Sequence, residues 1–343
     1  MPGAQQGGRL QGGGPSRAQR KIGKSPLCAM FRLVERPSVP QVSVVITAYN
    51  QARWLGQAID DVRRQTFRDW ELVVVDDGST DSTRAVVARY EGDPRVRYLF
   101  QPNQERSAAR NRGVAATSGR LLAFLDADDR WVPDKLAKQV AALAASPEAA
   151  FCYTPARFVN GSGAPLATRK PPRSVAGWIF PRLVRANLII LASVVARRDR
   201  VEEVGGFDAA LPVYGCEDWD LWLRLARRHP VAVVDEELTF YREHGGNTAP
   251  EQLLRSAFCV IDKMYADPAM AREAGISRTA VRARHLWYHA AGVAAERRSA
   301  AARLALQALG ESPSAVFSRP AVGALAALVL PQVAVRRLRG FPG

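Results

Sequence analysis

From residue 42 the chain alternates short, nearly unbroken apolar runs with longer segments in which apolar residues recur every three or four positions. Residues 42–47 form the first such run, and residues 52–64 then set Trp54, Leu55, Ala58, Ile59 and Val62 on one helical face. The pattern repeats: strand 72–75 ends in Asp76 and Asp77, and helix 80–90 follows with Ser79, Thr80 or Asp81 available as its cap. Strand 96–100, helix 105–117, strand 121–125 ending at Asp126, and helix 133–145 opening on Pro133 complete the series. Continuous apolar strands between helices imply a mostly parallel sheet covered on both faces, with ligands beyond the carboxyl ends of its strands. Those are the ends where the polar residues fall.

Later segments read less regularly. Residues 160–174 are rich in Gly, Pro and basic residues and are expected to form a long loop. A strand is expected over 193–198, an amphipathic helix over 217–228, and extended chain at 231–234 and 238–241. Beyond about residue 251 only helical periodicity remains. Residues 272–303 there hold seven arginines against Glu273 and Glu296, a local charge of +5.

Composition narrows the class. The chain has 343 residues, 47% of them hydrophobic and 24% charged, and no run of 18 apolar residues, so a globular α/β protein is expected and a membrane-spanning one is not. The net charge of +15 favours anionic partners without choosing among them. Part of that charge lies in residues 1–38, a glycine-rich basic tail expected to be disordered. No recognition motif or aromatic stripe accompanies the basic residues, so nucleic acid is not the expected partner. Cys28, Cys152, Cys216 and Cys259 are far apart and lack any C-x-x-C spacing, which indicates neither a zinc site nor a disulfide framework and suits a reducing, cytoplasmic setting.

Several signatures are absent. Gly23-Lys24-Ser25 lacks the earlier glycine of a P-loop, and no G-x-G-x-x-G follows the first strand, so neither a P-loop nor a dinucleotide-binding protein is expected. His285 and His289 are four residues apart, but Leu286 stands where a metalloprotease needs glutamate, leaving two ordinary surface histidines as the expectation. What remains is acidic residues at successive strand ends: Asp76-Asp77-Gly78-Ser79 and Asp126-Ala127-Asp128-Asp129. Carboxylates facing one crevice need a positive partner, and hard oxygen donors select Mg²⁺ or Mn²⁺, an ion able to bridge to a diphosphate. Turn and cap chemistry is the alternative source of such residues.

Six ordered motifs turn this into a resemblance. Val-Ile-Thr-Ala-Tyr-Asn at 45–50, Asp-Asp-Gly-Ser-Thr-Asp at 76–81, Ala-Arg-Asn-Arg-Gly at 109–113, Leu-Asp-Ala-Asp-Asp at 125–129, Gly-Gly-Phe-Asp at 205–208 and Glu-Asp-Trp-Asp-Leu-Trp at 217–222 resemble the inverting family 2 glycosyltransferases over residues 42–248. The resemblance implies a GT-A fold: a doubly wound, mostly parallel sheet over residues 39–250, followed here by a helical appendage, 251–343. It implies that Thr47, Tyr49 and Asp77 surround the donor's base, with Asp76 able to share that contact. Asp126 and Asp128 would form the D-x-D that meets ribose and metal, and Asp218 would be the catalytic base. His244, in Tyr241-Arg242-Glu243-His244, would approach the metal or diphosphate.

The residues themselves support these assignments in part. Tyr49 offers a stacking face and Asp77 an acceptor for a ring N–H, although Tyr49 could equally pack. Arg106 or Arg110 could add a cation at the phosphates, and spacing does not choose between them. Consecutive helical residues lie about 100° apart, so of Glu217 and Asp218 only one can readily face the sugar. Trp219 and Trp222 fit either an acceptor wall or the core.

The expected function is therefore transfer of a sugar from a nucleotide-diphosphate donor to the hydroxyl of a glycan or lipid-linked acceptor, with Mg²⁺ or Mn²⁺, in cell-envelope or other glycan synthesis. A non-catalytic nucleotide-binding scaffold is the alternative. Residues 321–335 are mostly apolar and precede Arg336, Arg337 and Arg339; too short to span a bilayer, they would lie at the membrane surface or pack on the domain.

Overall fold

The computed structural model describes residues 39–166, 171–212, 214–294 and 297–329. The basic tail lies outside them. The first half follows the sequence pattern: β1 (Val42–Ala48), α1 (Ala52–Arg63), β2 (Trp70–Asp77), α2 (Thr83–Ala88), β3 (Val96–Gln101), α3 (Glu105–Ala115) and β4 (Leu121–Asp126). Next come β5 (Arg130–Trp131), α4 (Lys135–Ala145), β6 (Phe151–Tyr153), β7 (Ala156–Asn160), α5 (Phe180–Leu183), β8 (Val195–Arg197), α6 (Arg198–Glu203), α7 (Glu217–Arg228), β9 (Ala232–Val233) and β10 (Thr239–Glu243). Helices α8 (Pro250–Ala266), α9 (Pro268–Glu273), α10 (Arg278–Val293), α11 (Arg298–Glu311) and α12 (Arg319–Val329) follow.

Among the described residues the main sheet runs β3-β2-β1-β4-β8-β6-β9. It is parallel except where β8 lies antiparallel to β4 and β6. Period-two alternation divides the strands between two cores: Val44, Ile46, Leu72 and Val74 face one side with Leu55, Ile59 and Leu136, whereas Val45, Val73, Val75 and Phe124 face the other with Trp219 and Trp222. The chain builds outward from β1 to β3 and then returns to place β4 on the other side of β1. A crevice opens at that reversal, where Thr47 pairs in register with Asp126.

Four departures from the sequence pattern have physical reasons. Helix α2 is shorter than expected because the chain at 79–81 bonds to the β1–α1 loop instead of helical partners. A second sheet, β5-β10-β7, was not legible as a sheet: the extended chain expected at 238–241 lies largely in β10, but strands as short as β5 and β7 carry no periodicity. The loop expected over 160–174, of which 167–170 lie outside the described residues, is anchored at its start: the Asn160 amide donates to the Ala164 carbonyl, and Val159 bridges Pro165. His285 is not on the surface: it is 8% exposed, its ring 4.9 Å from that of Trp219, and desolvation first, then His289 and Arg284, pull its pKa down to about 3.

The helical region shares its interior with the sheet. Ala257, Val260, Ile261 and Met264 of α8 and Val281 of α10 join the core that holds Trp219 and Trp222. Farther on, Ala301, Ala305 and Ala308 of α11 and Ala321, Ala324 and Ala327 of α12 pack on Leu286, Trp287 and Ala290 of α10. The apolar residues of 319–329 thus lie partly against protein, while residues 330–343 fall outside the described chain. No helix among the described residues is long and apolar enough to cross a membrane.

Candidate active site

The crevice begins with two loops that bind each other. Asn50, at φ 53°, accepts through its side chain from the amides of Thr80 (2.8 Å) and Asp81 (3.3 Å), while its own amide donates to Ser79 Oγ at 2.9 Å. Asp81 accepts from the Ala52 amide at 3.0 Å. Asp76 is 1% exposed with both oxygens engaged, one by the Ser79 amide and one by the Tyr98 hydroxyl, so it holds this loop and does not face a ligand. Gly78 sits at φ +84°, where a Cβ would come within 2.8 Å of the Asn103 amide nitrogen; only glycine fits.

Asp77 is placed differently. Its Oδ1 accepts from Gln101 Nε2 (2.6 Å) and the Gln104 amide (2.9 Å), which leaves Oδ2 for a ring N–H. Tyr49, at 52% exposure, presents a free aromatic face and is not packed in the core. Thr47, next to last in β1, pairs with Val75 on one side and Asp126 on the other. Thr47, Tyr49 and Asp77, three residues expected around a base, therefore lie at the carboxyl ends of the neighbouring strands β1 and β2.

At the end of β4 the carboxylates crowd. Burial and then the neighbouring Asp126 push the Asp128 pKa up, against the hydrogen bond from His244. His244 Nε2 lies 2.8 Å from Asp128 Oδ2, and its Nδ1 accepts from the Gly246 amide at 3.0 Å. That bond puts the ring proton on Nε2, aimed at Asp128. Asp129 is 1% exposed, accepts from the Arg242 amide through Oδ1, and keeps Oδ2 buried without a partner. Among the described residues no three His, Cys, Asp or Glu side chains converge as a cation cage. An ion held by one or two carboxylates with diphosphate oxygens completing its shell needs none, and the mutual repulsion of Asp126 and Asp128 suits such a partner.

Across the crevice, α7 brings Asp218. The 100° separation works out as the sequence suggests: Glu217 turns inward to Arg110, and half-buried Asp218 is reached by Asn187 Nδ2 at 3.4 Å from Oδ1. Burial, and next the charge of Glu217, push the Asp218 pKa up to about 7, opposed by Arg110. Arg110 is only 3% exposed, its guanidinium bonded to Glu217 and, at 2.9 Å, to Asp126. It therefore does not reach into the crevice, and the exposed Arg106, bonded to Thr248 Oγ1, is the arginine left for a phosphate. Trp219 and Trp222 are fully buried and wall nothing.

Two contributors escaped the sequence reading. Trp54 reads as one member of an apolar helical face, yet its ring stands 4.3 Å from that of His244, with Arg53 and Arg242 against it. Its place in the first turn after the Ala-Tyr-Asn loop was the available signal. Asn187 carried none, because it follows α5 in irregular chain.

Residues 43–186 match the family model described as glycosyl transferase family 2. An uncharacterized glycosyltransferase of Nostoc is 32% identical over 228 residues, covering 60% of this chain and 66% of the relative. The chain belongs to glycosyl transferase family 2. Another relative, the Escherichia coli enzyme named UDP-Glc:alpha-D-GlcNAc-diphosphoundecaprenol beta-1,3-glucosyltransferase WfgD, is 27% identical over 57% of this chain and 73% of its own. Of a 30% identical uncharacterized glycosyltransferase from Rickettsia felis this family 2 chain spans only 33%. The GT-A fold is shared with S. aureus TarS in complex with UDP-GlcNAc, at TM-score 0.58 and 18% identity over 88% of each chain. It is shared too with the mannosyltransferase PcManGT of Pyrobaculum calidifontis in complex with GDP-Man and Mn²⁺, at 0.55 and 20% over 89% of this chain and 88% of that one.

Proposed function

We propose that this family 2 protein is an inverting glycosyltransferase that moves a sugar from a nucleotide-diphosphate donor to an acceptor hydroxyl. The observation that carries the reading is a carboxyl group, Asp218, held near neutrality across the crevice from Asp77, Asp126 and Asp128. Tyr49 would stack on the base, Asp77 Oδ2 would accept its ring N–H, and Thr47 would border the ribose. Asp128, with Asp126 and His244 beside it, would hold Mg²⁺ or Mn²⁺, and such an ion supplies charge neutralisation as the diphosphate leaves. Arg106 would add a second cation at the phosphates. Asp218 would take the proton of the attacking hydroxyl, with Asn187 restraining its carboxylate. Attack opposite the leaving diphosphate inverts the sugar carbon.

For the acceptor we propose a glycan or lipid-linked sugar in cell-envelope synthesis, as the printed name of the WfgD relative specifies for that enzyme. A contact with the membrane fits this. Leu306, Phe317 and Val322 are 69%, 87% and 60% exposed, and residues 297–343 hold seven arginines against a single acid, Glu311. In this reading residues 39–250 are the catalytic region and 251–343 the part that meets the membrane.

The test is a panel of nucleotide sugars with Mn²⁺, scored by nucleoside diphosphate released in the presence of acceptor. Transfer from one donor, abolished by chelation, is the expected result. Binding of nucleotide without release from any donor would instead favour the scaffold, and full activity in excess chelator would remove the metal from the reading.

A further inference from the structure

Two of the six motifs, Ala109-Arg110-Asn111-Arg112-Gly113 and Gly205-Gly206-Phe207-Asp208, are not used by the chemistry above, and the structure ties them together. Asn111 Nδ2 donates to the Phe207 carbonyl at 2.7 Å, and the Phe207 amide returns a bond to Asn111 Oδ1 at 3.0 Å. A Cβ on Gly206, at φ +69°, would come within 2.9 Å of that same Oδ1. The Phe207 ring thereby lies against Arg110, its centroid 5.5 Å from the guanidinium carbon. So held, Arg110 reaches with one nitrogen to Asp126 at the end of β4 and with the other to Glu217, the first residue of α7.

The first turn of α7 is also held by buried Trp219, whose indole N–H donates to the Leu183 carbonyl at 2.8 Å, and by Asp220, paired with Lys263 at 2.7 Å, but its first residue has fewer ties. Gly215 and Cys216 both have positive φ, at 96° and 68°, and Cys216 makes no side-chain cap bond. Glu217 is 5% exposed and its Oε2 has no partner, so Arg110, the cation bonded to it, does most to neutralise it, with the unbonded charge of Arg106 adding to this. We propose that Arg110 is a positioning residue: by clamping Glu217 to the carboxyl end of β4, it fixes the first turn of α7 and with it the place of Asp218 in the crevice. The proposal rests on the reading of Asp218 as the base.

The charged groups around Asp218 give the clamp a signature that a merely structural ion pair lacks. Glu217 and Cys216 lie on its own segment, Arg110 approaches from α3, Asp126 from β4, and Arg106 faces Glu217; Asn187 is neutral. Glu217 and Asp126 disfavour the carboxylate and Arg110 favours it. The acid limb of kcat/KM against pH reports the base in the free enzyme. Arg110→Gln should move that limb up by about one pH unit and lower kcat, because Glu217 is left unneutralised. Glu217→Gln should move it down while donor KM stays near wild type, since the Arg110–Asp126 pair remains. The double variant should bring the limb back toward the wild-type position, and Arg110→Lys, whose single ammonium cannot bridge both acids, should restore only part of kcat.

Limbs that do not move, or that move the same way in both single variants while melting temperature falls, would overturn the proposal and leave a purely structural pair. If Arg110→Gln does not fold, Glu217→Gln and the double variant still decide it. Asp218→Asn is the control for the underlying reading: retained transfer there would sink the base assignment whatever the limbs do.

Discussion

At the residue scale the decisive feature is one carboxyl group whose surroundings place its proton equilibrium near neutrality. Because Asp218 must be ionised to accept a proton, kcat/KM should rise with pH through about 7 and level off above it. Asp218→Asn should cost about 10² or more in kcat while donor binding stays nearly intact, as equilibrium titration with nucleotide would report. A second buried group acts on stability instead. Lys135 is fully buried, its ammonium 2.7 Å from Gln139 Oε1 and 4.1 Å from the Trp131 ring centroid, and desolvation brings its pKa from 10.5 to about 7. Between those values the unfolded chain binds more protons than the folded one, so this group makes stability rise with pH from about 7 to about 10.5. Lys135→Met should flatten that rise in denaturant midpoints measured across pH 7–10. Helical geometry alone showed that Glu217 and Asp218 cannot both face the crevice; that Asp218 is the one came only from the resemblance. The fate of Arg110 was not legible, because its partners are 16 and 107 residues away along the chain.

At the scale of elements, the buried strands and their helices were legible because parallel strands covered on both faces read as unbroken apolar runs. Strands β5 and β7 were not, and β10 was legible only as extended chain at 238–241, not as part of a sheet, since that sheet joins three distant segments of two to five residues each. That small sheet brings the His244 loop to the β4 end, so the part of the site it positions was visible only as a motif. Helix α3 shows how closely such placement depends on packing. A Cβ on Gly113 would lie 2.4 Å from Val45 Cγ1 and 3.2 Å from Val75 Cγ2, so Gly113→Ala must lift the helix from the sheet. It should cost about 1–3 kcal/mol, seen as a lower melting temperature. Arg110 sits one turn earlier on the same helix, so activity should fall further than stability alone accounts for.

At the scale of the molecule, exposed apolar surface gathers toward the C-terminal end, in a segment that is also basic. The sequence left open whether residues 321–335 pack or meet lipid, because an apolar run reads alike in either setting; in the structure Ala321, Ala324 and Ala327 of α12 pack inward and Val322 is exposed. Replacing Leu306, Phe317 and Val322 together by Glu should leave the fold intact, because all three side chains are largely exposed. The native protein should sediment with anionic vesicles at low salt and release partly at high salt, whereas the triple variant should remain in the supernatant. A native protein indifferent to vesicles would end the membrane reading.

The two cross-bonded loops at the mouth of the crevice have a further consequence, for hydrogen exchange. Asn50, Thr80 and Asp81 lie at exposed positions, where backbone amides ordinarily exchange with solvent almost as freely as in an unfolded peptide. Here the amides of Asn50, Ala52, Thr80 and Asp81 each donate to a side-chain oxygen across the loops. They should be protected as a group although no strand or helix contains most of them. Asn50→Gly keeps a residue tolerant of φ 53° but removes the acceptor shared by Thr80 and Asp81, so both amides should exchange roughly tenfold faster, the cost of about one lost hydrogen bond. Unchanged rates would mean that the backbone turn alone shields them.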